Sequence, residues 1–209
     1  MQTTISTQDP FGELSRLYSE MEAAYDRTAK KIGLTCTGCP DNCCTSYFQH
    51  HTYIEWAYLW KGMTSCPDEK RHEILTRAEA YVKEGQVLLA QGLKPRIMCP
   101  LNDNGLCQLY EYRLMICRMH GVPNSLVMPD GQRMAFPGCS RCQGLYSDLN
   151  QVPLLDRTGF YRDLASLEMA FTGGKIRVFP KVDLTLAEML VRGPPDISPL
   201  ARGFQTRNP

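Results

Sequence analysis

Between Asp9 and Ile32 the apolar side chains Leu14, Leu17, Met21, Ala24 and Tyr25 recur at helical spacing, with Glu, Arg, Ser and Lys between them. A single buried face of a helix produces that recurrence, so the pattern predicts an amphipathic helix over about 9–32. Asp9-Pro10 supplies an N-cap followed by proline at the first helical position, and Gly33 supplies the stop. Thr52 and Glu55 have the spacing of a capping box. They open a helical pattern through "YIEWAYLW", which Gly62 is expected to end. Ile74, Leu75, Ala78, Tyr81, Val82, Leu88 and Leu89 mark a longer helix over about 67–91.

The pattern then changes character. "IMCPLNDNGLCQLY" sets Pro, Asn, Asp and Gly between short apolar runs and reads as a loop or tight hairpin. "EYRLMICRM" reads as a short helix, and "LVMPDGQRMAF" as two strands around a Pro-Asp-Gly turn. Phe160, Leu164, Leu167 and Phe171 define another helix, closed by Gly173-Gly174. "KIRVF" is expected to be a short strand and "LTLAEMLV" a last short helix. No internal repeat is visible. The expected fold is mainly α, with irregular cysteine-rich loops and a small β-hairpin component (α+β with a small sheet). A single domain is expected over 1–192, its metal-binding core at about 33–145. Residues 193–209, with four prolines and little periodicity, are expected to be an extended or disordered tail.

Composition narrows the partners. A chain of 209 residues can bury a core without cross-links. Its 23 Lys and Arg nearly cancel 22 Asp and Glu, so no overall field recruits nucleic acid or an anionic membrane. The first twenty residues lack the basic start and apolar run of a secretory signal. The longest apolar stretches, such as "VLLA", are far short of a membrane span. The expected location is the cytoplasm, where disulfides are rare.

The ten cysteines change the picture most, because all lie between Cys36 and Cys142. "LTCTGCPDNCCTSYFQHH" places four of them in nine positions. Cys36-x2-Cys39 is a spacing that lets two thiolates from one turn reach one metal, and Gly38 and Pro40 suit such a turn. Cys43 and Cys44 are adjacent, so only one of them is expected to join that centre. Cys99, Cys107 and Cys117 follow, then Cys139-x2-Cys142 on the glycine-flanked turn "PGCSRCQG". Burial as small hydrophobes does not explain two C-x2-C turns, and no βαβ pattern supports a thioredoxin-like pair. Metal binding is the remaining reading. Cys66, before Pro67 at a helix start, fits no spacing and is expected to be inert.

"CTGCPDNCC" followed by "CPLNDNGLCQLYEYRLMICR" resembles the cysteine-cluster (CxxCxxCC) proteins described as zinc- or iron-chelating domains. The match runs over Cys36 to Cys44 and Cys99 to Arg118, with Gly105, Tyr110, Arg113 and Arg118 in step; Cys139 and Cys142 stand where many members carry trailing cysteines. Two departures occur: three residues precede the paired cysteines, and Leu114 stands where the family usually has proline. Relatives include flagellin lysine methylases, which look like users of an iron–sulfur centre. The resemblance thus implies a cofactor, although no glycine-rich loop after a strand points to a methyl donor.

All-thiolate ligation suits zinc and iron–sulfur clusters alike. Nine patterned cysteines exceed one four-ligand site, and three close thiols plus a remote one commonly hold a 4Fe–4S cubane. Two distant C-x2-C turns could equally build a structural zinc site. The expected ligands are Cys36, Cys39, one of Cys43 or Cys44, and Cys117 for one centre, with Cys99, Cys107, Cys139 and Cys142 for another. Arg113 and Arg118 flank Cys117 and would offset cluster charge; the alternative is that each pairs with a carboxylate on a helix surface. Tyr110 is a further cofactor-side candidate, or else a core residue. His120 makes C-x2-H with Cys117, while the adjacent His50 and His51 suit capping or surface roles. The expected function is a metal-binding protein with a redox, metal-handling or maturation role beside a protein partner. The alternatives are a cluster-dependent, methylase-like enzyme and a zinc-stabilised interaction module.

Overall fold

The apolar stripe that begins at Leu14 forms helix α1, Pro10–Ile32, and buries Leu14, Leu17, Tyr18, Met21, Thr28, Ala29 and Ile32. Gly33 ends it with φ 77, the left-handed conformation that glycine adopts without a Cβ penalty. The Leu34 amide then donates to Ala29 O at 2.9 Å and the Gly33 amide to Lys30 O at 3.3 Å, which satisfies the last carbonyls of the helix. The structure, a computed structural model, describes residues 9–36, 39, 43–147 and 150–197. Among these, seven α-helices and two small sheets give a mainly α fold with a minor β component. No helix among the described residues is long and apolar enough to cross a membrane.

The chain divides into two compact units. Of the described residues, one unit holds 9–10, 44–114 and 168–197. Its main elements are α2 (Tyr53–Thr64), α3 (Asp68–Ala90), a hairpin of β1 (Asn102–Asp103) and β2 (Leu106–Cys107), and α7 (Leu186–Val191). Its core gathers Tyr53, Trp56, Leu59 and Met63 of α2, Ile74, Ala78 and Tyr81 of α3, and Leu186, Ala187, Met189 and Leu190 of α7. Trp56 and Trp60 each donate an indole N–H to Met189 O at 3.0 Å, so α2 satisfies a carbonyl of the last turn of α7.

The hairpin turns on Asn104-Gly105, with φ 50 and 88. Two positive φ values in a two-residue loop match the twist of flanking antiparallel strands, and Asn-Gly is the pair that reaches them most readily. At the start of α7, Thr185 and Glu188 make a full capping box. The box expected at α2 does not form. Thr52 Oγ1 donates instead to the Glu55 carboxylate at 2.8 Å. The amides of Tyr53 and Ile54 donate to the two carboxylate oxygens of Glu168, at 2.9 Å each. A buried carboxylate from another segment thus does the work of the local cap.

Gly62 is not a helix stop, since α2 continues through Thr64. It is a point of close approach: a Cβ there would sit 2.5 Å from Tyr112 Cγ. "KIRVF" forms a 3-10 turn, Ile176–Val178, instead of a strand. Amide bonds from Lys175 to Thr172 O and from Val178 to Lys175 O wind that segment locally. "EYRLMICRM" divides into a 3-10 turn, Tyr110–Tyr112, and a short helix α4, Met115–Met119. Of the expected tail, 193–197 carries no regular element and 198–209 lies outside the described residues.

The other unit holds 11–36, 39, 43, 115–147 and 150–167. Here β3 (Asn124–Val127) pairs antiparallel with β4 (Arg133–Phe136) and parallel with β5 (Leu155–Asp156). The β3–β4 hairpin was legible from its Pro-Asp-Gly turn; the two-residue β5 was not, nor was helix α5, Ser140–Tyr146. Asp156 caps the helix that follows, α6 (Thr158–Phe171), accepting from the Thr158 amide at 2.9 Å.

Candidate metal centre

Tyr25 lies at the C-terminal end of α1, where the stripe read from sequence treats it as one more apolar position. Its hydroxyl instead meets sulfur: Tyr25 OH is 3.8 Å from Cys36 Sγ. The Cys39 amide donates to Cys36 O at 3.2 Å. Cys139 is the N-cap of α5, and its Sγ accepts from the Cys142 amide at 3.4 Å. The second C-x2-C motif therefore points a backbone donor at its own first thiol.

Two glycines bring these segments together. The Cys139 amide donates to Gly121 O at 2.9 Å. A Cβ on Gly138 would sit 2.5 Å from that same oxygen. A Cβ on Gly121, whose φ is 124, would sit 2.5 Å from Tyr25 OH. The loop before α5 packs on the loop after α4 at a distance that leaves no room for a side chain on Gly138, and the Tyr25 hydroxyl of α1 fills the space a side chain on Gly121 would take. The sequence carries this signal merely as two more glycines.

The electrostatics record which thiols share the site. The Tyr25 hydroxyl is held well above its usual pKa by burial, then by the charge and hydrogen bond of Cys36, then by Cys139 and Cys43. It therefore keeps its proton. Burial pushes the Cys142 thiol up to about 11, with further contributions from Cys139 and Cys36. Tyr146 is raised by burial and then by Cys142 and Cys139. Cys36, Cys139 and Cys43 thus lie near one hydroxyl, and Cys139 and Cys36 near the Cys142 thiol, from segments far apart in sequence. Negative charge on any of them opposes charge on the others, and a bound cation reverses that opposition.

Cys39, and Cys117 on α4, belong to the same unit. Cys44, Cys66, Cys99 and Cys107 belong to the other, so adjacent Cys43 and Cys44 fall in different units. In that other unit the Cys99 amide donates to Cys44 O and the Asn102 amide to Cys99 O, both at 2.9 Å. Cys107 stands opposite Asn102 in the hairpin. Burial, followed by Cys99, Tyr47 and Glu188, pushes the Tyr81 hydroxyl up to about 12. Cys66 Sγ donates to Gly62 O at 3.6 Å and packs against the core, a structural contact. None of the ten cysteines forms a disulfide. Among the described residues, no group of three or more His, Cys, Asp or Glu side chains stands in an arrangement that would hold a metal ion.

The remaining candidates take definite places. Arg113 stacks on the ring of Tyr110, 3.4 Å from its centroid, and Tyr110 is exposed instead of lying in the core. Arg118 is buried over the Tyr18 ring at 4.3 Å and reaches Glu22 of α1 at 4.0 Å. His120 is half-buried, and burial, followed by the charge of Arg157, lowers its pKa and favours the neutral imidazole. His50 is buried, not at the surface, and its backbone bridges to Leu184. His51 is exposed, with Nδ1 3.3 Å from Val182 O and 3.4 Å from Asp183.

No protein-family model matches the chain, nor does any curated protein or solved structure. The chemistry of the site therefore has to be argued from its own residues. Reduced thiols, backbone amides and a protonated hydroxyl make a donor set that suits thiophilic metals.

Proposed function

We propose that this chain is a metal-binding protein that holds an iron–sulfur cluster, or zinc, through clustered cysteine thiolates, in a redox, metal-handling or maturation role. The gathering of Cys36, Cys139 and Cys43 about the Tyr25 hydroxyl, with Cys142 beside Cys139, carries the reading. Cys39 and Cys117, in the same unit, complete the candidate ligands there. Six cysteines in one unit are more than enough for one four-thiolate centre, whether cluster or zinc. The resemblance of the Cys36–Cys44 and Cys99–Arg118 segments to zinc- or iron-chelating cysteine-cluster domains points the same way. It also leaves Cys44, Cys99 and Cys107 as candidates for a second centre.

A cluster would supply one-electron chemistry. The chain's own groups do the rest. The Cys142 amide donates to Cys139 Sγ, the Tyr25 hydroxyl lies against Cys36 Sγ, and Cys142 itself is buried, contacts of the kind that orient metal ligands. In this reading the protein works in the cytoplasm beside a protein partner, without nucleic acid or membrane.

The test is to purify the protein without oxygen and measure iron, zinc and acid-labile sulfide per chain. Brown protein with matched iron and sulfide supports the cluster. Colourless protein with stoichiometric zinc supports the zinc form. Loss of bound metal in Cys139→Ser/Cys142→Ser is expected in either case. Full metal content in that variant would remove these sulfurs from the ligand set.

A further inference from the structure

The geometry points to Tyr25 as a positioning residue of the thiol centre: its hydroxyl, wedged in place by Gly121, donates to Cys36 Sγ and orients that sulfur as a ligand. This rests on the metal-centre reading above. The observations behind it are spatial. Tyr25 OH is 3.8 Å from Cys36 Sγ. Gly121 also stands close to it, since a methyl group there would lie 2.5 Å from the hydroxyl oxygen. A metal-bound thiolate can only accept, so the hydroxyl is the donor once the centre is filled. Gly121 is itself anchored, because its carbonyl accepts from the Cys139 amide at 2.9 Å. The same short loop that fixes Cys139 therefore fixes the donor to Cys36, which couples two candidate ligands from opposite ends of the site.

Hydrogen-bonding partners of metal ligands typically change metal affinity by about 10–100-fold when removed. The experiment titrates reduced, metal-free protein with Co2+ alone at fixed pH, without oxygen, and follows the thiolate-to-cobalt charge-transfer band. Tyr25→Phe is expected to weaken Co2+ binding about tenfold or more. It should also move the band at saturation to longer wavelength, since a sulfur that loses a hydrogen bond gives up its electrons more easily. A merely structural role would leave the band position unchanged. Gly121→Ala retains the hydroxyl but displaces it, so it should reproduce the band shift. Combining the two substitutions should shift the band no further than Tyr25→Phe alone. Tyr146→Phe, whose hydroxyl donates to Pro137 O at 2.6 Å, should match wild type. Wild-type affinity and an unshifted band in Tyr25→Phe, with binding lost in Cys36→Ser, would overturn the role of Tyr25 and leave the metal reading standing. Absence of any cobalt–thiolate band in the wild-type protein would overturn both.

Discussion

Gly62→Ala sets two effects of opposite sign against each other. Gly62 lies inside α2, where replacing glycine by alanine favours the helix by about 1 kcal/mol. The added methyl, however, would lie 2.5 Å from Tyr112 Cγ, 2.6 Å from Cδ2 and 3.0 Å from Cβ. A χ1 rotation would carry the ring away from its contacts but leave Cβ at 3.0 Å, so the side chain alone does not relieve the crowding. The 3-10 turn at Tyr110–Tyr112 has to shift, or α2 does. The shift would also disturb the contact between Tyr112 and Tyr58, whose ring centroids are 5.0 Å apart. Overpacking of this kind costs about 1–3 kcal/mol, and loss of an aromatic pair adds about 0.5–1.5 kcal/mol. The contact terms outweigh the propensity term, and a net loss of about 1–2 kcal/mol is expected. Urea unfolding followed by circular dichroism reads it as a lower midpoint at unchanged slope. In a Tyr112→Gly background the ring and its Cβ are both gone, and the same Gly62→Ala change should become neutral or stabilising. Stabilisation by about 1 kcal/mol with Tyr112 present would refute the packing argument, because helix propensity would then be acting alone.

His50 is buried and its pKa is pushed down to about 4, by burial and by the charge of His51 against the opposing pull of Glu55. Unfolded, it titrates near 6.5, so between these values the unfolded chain binds the extra proton. Stability is therefore full above pH ~6.5 and lost as pH falls toward 4. The total loss is roughly 3 kcal/mol at 1.36 kcal/mol per pKa unit, about 2 kcal/mol of it by pH 5. Urea midpoints at pH 7 and 5 should show that drop in wild type and a much smaller one in His50→Gln; equal drops would assign the pH dependence elsewhere. Glu168→Ala strips two amides at the start of α2 of their acceptor. It should destabilise by about 2–4 kcal/mol, and a thermal melt within a degree of wild type would show that those amides find another partner. Cys36→Ser and Cys117→Ser are expected to lose bound metal. Cys66→Ser, whose sulfur contacts only carry packing and a bond to Gly62 O, should keep it; elemental analysis of the purified variants separates these outcomes.

The features legible in the sequence were those set by local signals. The stripe from Leu14 and the stop at Gly33 define α1 because helix periodicity and a left-handed glycine act within a few residues. "NDNG" gave the tight hairpin for the same reason. What escaped was long-range. Glu168 replaces the expected local cap from 115 positions away, and no spacing rule reveals it. Gly62 has the local look of a terminator and is glycine because of Tyr112. Strand β5 is two residues long, too short for any alternation to show, and exists because β3 offers it an edge. At the candidate site, the density of cysteines singles out Cys36–Cys44 and Cys139–Cys142 from the sequence alone. Tyr25 was hidden because a tyrosine on an apolar stripe looks like any other core position until its hydroxyl is placed. Gly121 and Gly138 were hidden because their role lies in what a side chain would hit.

The central claim, that sulfur atoms from distant segments ligate one metal centre, is tested most directly by X-ray absorption at the metal edge of the anaerobically purified protein. The account predicts a first shell of sulfur at about 2.3 Å. A first shell made only of oxygen and nitrogen, or a protein that carries no metal and takes up none when reduced and supplied with iron and sulfide or with zinc, would contradict it.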